Sequence, residues 1–301
     1  MKKKKIFFIT GGLVIILAAV FFFYQNFLRL YIDLKKVAPD FKKESVVKTI
    51  DDTIKGNIFL PSPLKVEKEE VENNPLTKEE IIKWTNYYRE KNGLPALREN
   101  KKLDNSALLK LQDMFLKHYF SHYSPEGKDV SYMIERAGYK FLTIGENLAM
   151  GNFKDDKDLV DAWMASPGHR ANILNPNYRE IGVAVLKGTF EGKETWISVQ
   201  HFGLPLSVCA KPDLTLKEKI EENEKRLNEM ESELMALKSE IPQTINPYMI
   251  FNRDEYLMKI ENYNNLVSQY NSLLEETKSL IEKYNLEVNV YNSCVSGFVG
   301  K

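Results

Sequence analysis

From Asp213 onward the chain repeats apolar and tyrosine residues at alternating spacings of four and three, and this pattern admits few folds. Leu216, Ile220, Asn223, Leu227, Met230, Leu234, Leu237 and Ile241 form one register. Met249, Arg253, Tyr256, Ile260, Tyr263, Val267, Tyr270, Leu274, Thr277, Ile281, Tyr284, Val288 and Tyr291 form a second. Residues at heptad a and d positions make a helical stripe that is stable only when another helix covers it. Pro242 and Pro247 separate the registers, because proline cannot continue a helix. The pattern predicts an antiparallel coiled-coil hairpin over residues 208–301, acting as a spacer or an oligomerisation arm. The stripes alone admit pairing within one chain or self-association between chains.

Cys209 and Cys294, the two cysteines of the chain, bracket this hairpin. The second helix outruns the first by about 14 residues, or ~20 Å. The segment Cys209–Leu214, if extended, covers ~20 Å. A Cys209–Cys294 disulfide is therefore sterically allowed, with two free thiols as the alternative.

The other end carries four lysines and an apolar run from Ile6 to Tyr24. As a helix that run spans ~28 Å, about the thickness of the hydrocarbon core of a bilayer. A cleavable signal peptide competes with a retained anchor. Ala18 and Ala19 lie inside the run and are followed by Val-Phe-Phe-Phe, which favours retention. Lys2–Lys5 sit closest to the membrane and place the N-terminus in the cytoplasm. The expectation is a single-pass protein of the cytoplasmic membrane, with residues 1–26 as lysines and anchor and the remainder outside the cell. Residues 27–75, with Pro61, Pro63 and the charged run KVEKEEVENNP, read as an extended, solvated stalk.

Residues 76–207 carry mixed signals. Thr77-Lys-Glu-Glu is a capping box that starts a helix, with Ile81, Trp84 and Tyr88 on one face and Gly93 ending it. Leu103, Ala107, Leu111, Met114 and His118 predict a second buried stripe over 103–119. A short helix follows at 129–137, a strand at 141–150, and a helix at 158–164 with Leu159, Ala162 and Trp163 inward. A turn-rich stretch, WMASPGHRANILNPNY, comes next. EIGVAVLKG and TWISVQHFG read as strands joined by residues 188–194. The class is α+β, with helices covering an antiparallel sheet.

Lysine and arginine balance aspartate and glutamate at 42 each, so no global field points to nucleic acid. The histidines are His118, His122, His169 and His201. His118 and His122 have the spacing of a zinc pair on one helix face, but Pro125 suggests the helix has frayed by His122, and each histidine alone is also readable as a structural residue. Ser166 near His169 lacks a nucleophile-elbow pattern. Neither cysteine falls within 76–207, so that region has no thiol nucleophile.

SHYSPEG, IGENLA, SPGHRANILNP, IGVAV and VQHFG follow one another in order over residues 121–203. This set resembles the CAP superfamily, also called the SCP-like extracellular domain, in its bacterial form. The resemblance covers Thr77 to Leu206. It implies a three-layer α-β-α sandwich with a surface cleft holding two histidines and usually two acids, in some members with a divalent metal. Matched by motif, the cleft residues are His122, Glu146 and His169, with Gln200 in the last motif. The second acidic position falls near Ala165 and Ser166, where no carboxylate stands. Val199 replaces the usual threonine of that last motif. The resemblance implies a non-catalytic module binding a lipid, glycan, peptide or envelope partner. The alternative is a hydrolase acting on peptides or wall polymers, assisted by zinc or another divalent metal on His122 and His169 with Glu146 as base. The third reading is a polar network of His122, Glu146 and His169 that tethers the cleft loops.

Overall fold

The computed structural model describes residues 47–49, 56–66, 75–241 and 252–299. The apolar run of residues 6–24, expected to be an anchor, lies outside them, as do Pro242, Pro247 and Met249. Among the described residues no helix is long and apolar enough to cross a membrane. The chain divides into two units, one of Thr49–Pro212 with Glu287–Lys301, the other containing Asp213–Leu286.

In the first unit the strands are β1 (Asn57–Phe59), β2 (Leu64–Val66), β3 (Arg98–Glu99), β4 (Phe141–Gly151), β5 (Glu180–Phe190) and β6 (Lys193–Pro205). The helices are α1 (Lys78–Lys91), α2 (Lys101–Lys117), α3 (Val130–Arg136), α4 (Asp156–Ala165) and α5 (Pro167–Ile173). The sheet runs β1-β4-β6-β5-β3, with β2 following β1 along the same side of β4. The long strands β4, β6 and β5 are antiparallel as expected, whereas the short strands β1, β2 and β3 join in parallel. β5 and β6 run further than their sequence pattern suggested. Only Glu191 and Gly192 join them, with φ of 51° and 80°. Positive φ at both central residues is what a two-residue hairpin turn needs.

Strand alternation sorts the core into two sides. Ala149, Val183 and Phe202 face Ile81, Leu159, Trp163 and Ile173 of α1, α4 and α5. Leu148, Ala184, Ile197 and Val199 face Ala107, Leu111 and Met114 of α2. Ile144 meets Leu103 of α2 and Val130 and Ile134 of α3. The result is three layers, helix, sheet, helix. The layers approach closely where strand glycines allow it. A Cβ on Gly182 would lie 2.1 Å from the Leu103 backbone, and one on Gly145 would lie 2.3 Å from the Tyr178 hydroxyl.

Several local expectations change. The Thr77 hydroxyl accepts from the Glu80 amide, but the Thr77 amide donates to Asp156 rather than Glu80 (2.7 Å), because α4 brings a carboxylate to that point. The α2 stripe stops at Met114. His118 is the left-handed C-cap (φ 51°) and is exposed, so it cannot share a helix face with His122. The stretch WMASPGHRANILNPNY is not a continuous loop. Pro167 opens α5, since a proline at the first helical position gives up no hydrogen bond. The stalk expected over 27–75 is extended at 57–66 but belongs to the sheet there, because the edge of β4 offers partners for its backbone.

The second unit is a helical hairpin of α6 (Leu214–Glu240) and α7 (Arg253–Val299), α7 continuing from Glu287 in the first unit. Both heptad seams are buried against each other within one chain, with Leu227, Met230, Leu234 and Ile241 meeting Tyr256, Ile260, Tyr263 and Tyr270. Arg253, at a seam position by spacing, is exposed. In the first unit Tyr291 and Val295 of α7 pack on Leu142, Leu204 and Cys209, and Cys209 and Cys294 form a disulfide across 85 residues (Cα–Cα 5.7 Å). Closing so long a loop is worth roughly 2–5 kcal/mol. Cys294→Ser is therefore expected to lower the guanidinium midpoint. Reduction should do the same in the parent and nothing in the variant. An unchanged midpoint after reduction would show that the bridge carries no stability.

Candidate functional site

β4 organises the site because neighbouring residues on a strand point to opposite faces. Glu146 faces α2, and Asn147 faces α5. The Glu146 carboxylate has no exposed surface and accepts from two imidazoles, His122 Nδ1 at 2.6 Å and His201 Nε2 at 2.8 Å. His201 stands directly opposite Glu146 on β6, and its Nδ1 meets the Ser106 hydroxyl of α2 at 2.7 Å. Burial by itself would raise the Glu146 pKa. The hydrogen bonds from His122 and His201, with the charges of His201 and Lys110, outweigh it and hold the carboxyl at about 2. Glu146 is a committed carboxylate.

His122 is fixed on three sides. The buried Lys110 ammonium donates to its backbone carbonyl at 2.8 Å, and burial is the main cause that lowers the Lys110 pKa. Nδ1 meets Glu146, and Nε2 meets the carbonyl of Pro61. Both ring nitrogens of His122 thus face oxygen atoms.

His169 belongs to the other face. Its carbonyl accepts from Asn147 Nδ2 (3.2 Å), and its Nδ1 meets the hydroxyl of Ser166 (2.8 Å), three residues back at the start of α5. Its Nε2 is buried and makes no hydrogen bond of ordinary geometry, though a weak bond to the Leu148 backbone bears on the ring. Burial, then the neighbouring His122, against a smaller opposing pull of the Leu148 backbone, lowers its pKa to about 4. It is the neutral imidazole at pH 7.

The expected grouping is thus met in part. His122 and Glu146 are bonded directly. His169 is bonded to neither, and meets them at the edge of β4 from the opposite face. Gln200 lies within the core and bonds to neither histidine nor Glu146. It is fully buried, accepts from Asn147 (3.2 Å) and donates to Thr85 of α1 (2.7 Å). Asn172 holds α5 to β4 through Asn147 Oδ1 at 3.0 Å and the Glu146 carbonyl at 3.2 Å, and accepts from Tyr178. Ile173 is buried in the core, and Arg170 is exposed. The end of α5 is held by Arg89 of α1, which donates to the carbonyls of Ile173 (2.8 Å) and Asn175 (2.9 Å).

Sequence reasoning passed over His201, Lys110 and Arg89. Each carried a signal. Lys110 falls three residues after Ala107, and Arg89 eight after Ile81, so each is a cation on an apolar stripe. His201 alternates with Gln200 and must face the opposite layer.

The donor set as folded does not suit a metal. His122 has no free nitrogen, and both oxygens of Glu146 are taken, leaving His169 Nε2 alone. Among the described residues no group of three or more His, Cys, Asp or Glu is arranged to hold an ion.

A model of the cysteine-rich secretory protein family, CAP, matches residues 83–202. YkwD of Bacillus subtilis (strain 168) is 33% identical over 177 residues, 52% of this chain and 68% of YkwD. The membrane protein YlbC of the same organism is 30% identical over 132 residues, 44% of this chain and 37% of YlbC. An extracellular protein containing an SCP domain from Bacillus anthracis has a solved structure that is 27% identical at a TM-score of 0.36, over 44% of this chain and 45% of that one.

Two titrations follow from the geometry. The folded pKa of His169 lies below its ordinary 6.5, so the unfolded chain binds the extra proton and stability falls as pH drops from about 6.5 towards 4. Glu146 does the same from 4.5 towards 2. His169→Gln should flatten the upper part of this dependence, by up to about 3 kcal/mol across the window. Glu146→Gln removes the charge between two buried imidazoles and should cost about 3–5 kcal/mol at pH 7. Urea melts of the three proteins between pH 3 and 8 read both effects.

Proposed function

Because the chain belongs to the CAP family, we propose that it is a membrane-tethered, extracytoplasmic binding module. Its cleft at the edge of β4 takes a lipid, glycan, peptide or envelope partner. The observation that carries this reading is the completeness of the His122–Glu146–His201 chain against the incompleteness of His169. A general base needs a free nitrogen or a carboxylate whose pKa lies near the working pH. Glu146, held at about 2 with both oxygens bonded, and His122, bonded at both nitrogens, meet neither condition. The buried Nε2 of His169, which makes no hydrogen bond of ordinary geometry, is the polar atom left for a ligand. His169 Nε2 alone is one protein ligand where a catalytic metal takes about three, so binding is preferred to metal-assisted hydrolysis.

The location rests on separate grounds. A Cys209–Cys294 bridge persists in oxidising compartments outside the cytosol. The apolar run of residues 6–24 has the length of a bilayer span, and one relative bears the name of a membrane protein.

Mass spectrometry of ligand extracted from natively purified protein tests the reading. The parent should carry a co-purifying molecule, and His169→Gln should lose most of it while losing under about 2 kcal/mol of stability, since the ring's one well-formed hydrogen bond is to the Ser166 hydroxyl. If the variant keeps the ligand in full, the cleft is a structural network only. Fractionation of cells tests the tether; full-length protein released by alkaline carbonate would exclude a retained span.

A further inference from the structure

Residues 57–66 run along one edge of β4 but do not pair with it continuously. β1 aligns Phe59 with Gly145, and β2 resumes at Leu64 with Ala149. The segment thus takes five steps where β4 takes four, and the extra residue makes it arch over Glu146, Asn147 and Leu148. The arch is Leu60-Pro61-Ser62-Pro63. Two prolines cannot donate to a strand edge, which is why the ladder breaks there.

The functional residues of both faces converge on this arch. His122 Nε2 donates to the Pro61 carbonyl. Asn172 Nδ2 donates to the Phe59 carbonyl at 3.3 Å while also holding the Glu146 carbonyl. Gly168, next to His169, leaves room for the Pro61 ring, since a Cβ there would lie 2.7 Å from Pro61 Cβ. The contacts go to backbone carbonyls and to a proline ring. They are the contacts a receptor makes to an extended, proline-bearing peptide of largely unrestricted side chains. Leu60 and Leu64 supply anchors, packing at the margins of the two sides of the core. No residue from 56 to 66 is fully buried, and Ser62 is exposed, so the segment is held as a bound strand is held rather than as a core strand.

We infer that the cleft is a receptor for an extended, proline-bearing peptide and that residues 59–63 of this chain are its resident, exchangeable occupant. The inference rests on the binding reading of the cleft and names its ligand class. The segment that looked like a stalk is then a tethered competitor, and a free peptide binds only in proportion to the fraction of molecules whose arch is displaced.

Two variants of the full chain displace the arch from different sides. Gly168→Ala puts a methyl group against Pro61, at a helical position where alanine is favoured. The pair Leu60→Ser and Leu64→Ser removes the anchors. Modification of His122 by diethyl pyrocarbonate, located by mass spectrometry, reports whether the arch has left. Fluorescence anisotropy with a labelled synthetic peptide of sequence NIFLPSPLKV reports occupation from solution.

His122 should be protected in the parent and modified in at least one variant that keeps the parent's circular dichroism. That variant should bind the peptide about tenfold more tightly than the parent, or better. Bound peptide should restore protection, and a peptide with both prolines replaced by alanine should bind less well. If neither variant exposes His122, the segment is a fixed part of the sheet and the inference is overturned. If His122 is exposed but the peptide does not bind, the inference is overturned while a lipid or glycan in the same cleft, detected by the extraction experiment above, stands. Loss of that extracted ligand as well would remove the binding reading itself.

Discussion

The buried polar groups of the first unit are arranged about one carboxylate. Glu146 has no exposed surface, and a lone charge in that position would be costly. It is stable because β6 places His201 opposite it and the loop after α2 places His122 beside it. The three side chains come from three elements, so the bond set ties a strand, its neighbour and a loop to one point. Lys110 extends that tie into α2 through the carbonyl of His122. The loop's position therefore follows from satisfying the charge.

The opposite face obeys the same logic with neutral groups. Asn147 and Asn172 join β4 to α5, Gln200 joins β6 to α1, and Arg89 closes the end of α5. The two networks lie on opposite faces of the sheet and come together at its edge, where Asn172 also holds the Glu146 carbonyl and the backbone of Phe59 and Pro61 accepts from one residue of each. An edge strand is the natural place for such a junction, because its outward backbone groups lack partners in the sheet. The arch with its two prolines uses that edge without closing it. This junction is the geometry on which the proposed peptide site rests.

Much of this was legible in the residues. The heptads from Leu216 to Ile241 and from Tyr256 to Tyr291 stated two helices that each need another to cover them, and left open whether that partner lies in the same chain. Leu103, Ala107, Leu111 and Met114 stated a buried helix face. Glu146 and His122 were visible through the ordered motifs around them. Less legible were contributions that run against residue type. Arg89 and Lys110 are cations on apolar stripes, and ordinary pattern reading discounts a cation. His118 continued a periodic stripe but ended outside it, because the chain turns left-handed at that residue. Residues 57–66 are too short and too interrupted by proline to read as strands, and only a waiting edge makes them so.

By itself, then, the order of residues determined what depends on local period and residue chemistry: the two heptad helices, the α+β character of residues 76–207, the pairing chemistry of Glu146, and the capacity of Cys209 and Cys294 to meet. Tertiary structure decided what depends on which elements become neighbours. It set His201 rather than His169 as the second partner of Glu146, because alternation along β4 and β6 puts those two on one face. It closed the disulfide, because the last turns of α7 pack against Leu142 and Leu204. It laid Pro61 over His122, because a strand edge left open between Gly145 and Ala149 accepts the nearest extended chain that can reach it. A side chain's chemistry is a property of its residue, but its partner is a property of the surface brought against it.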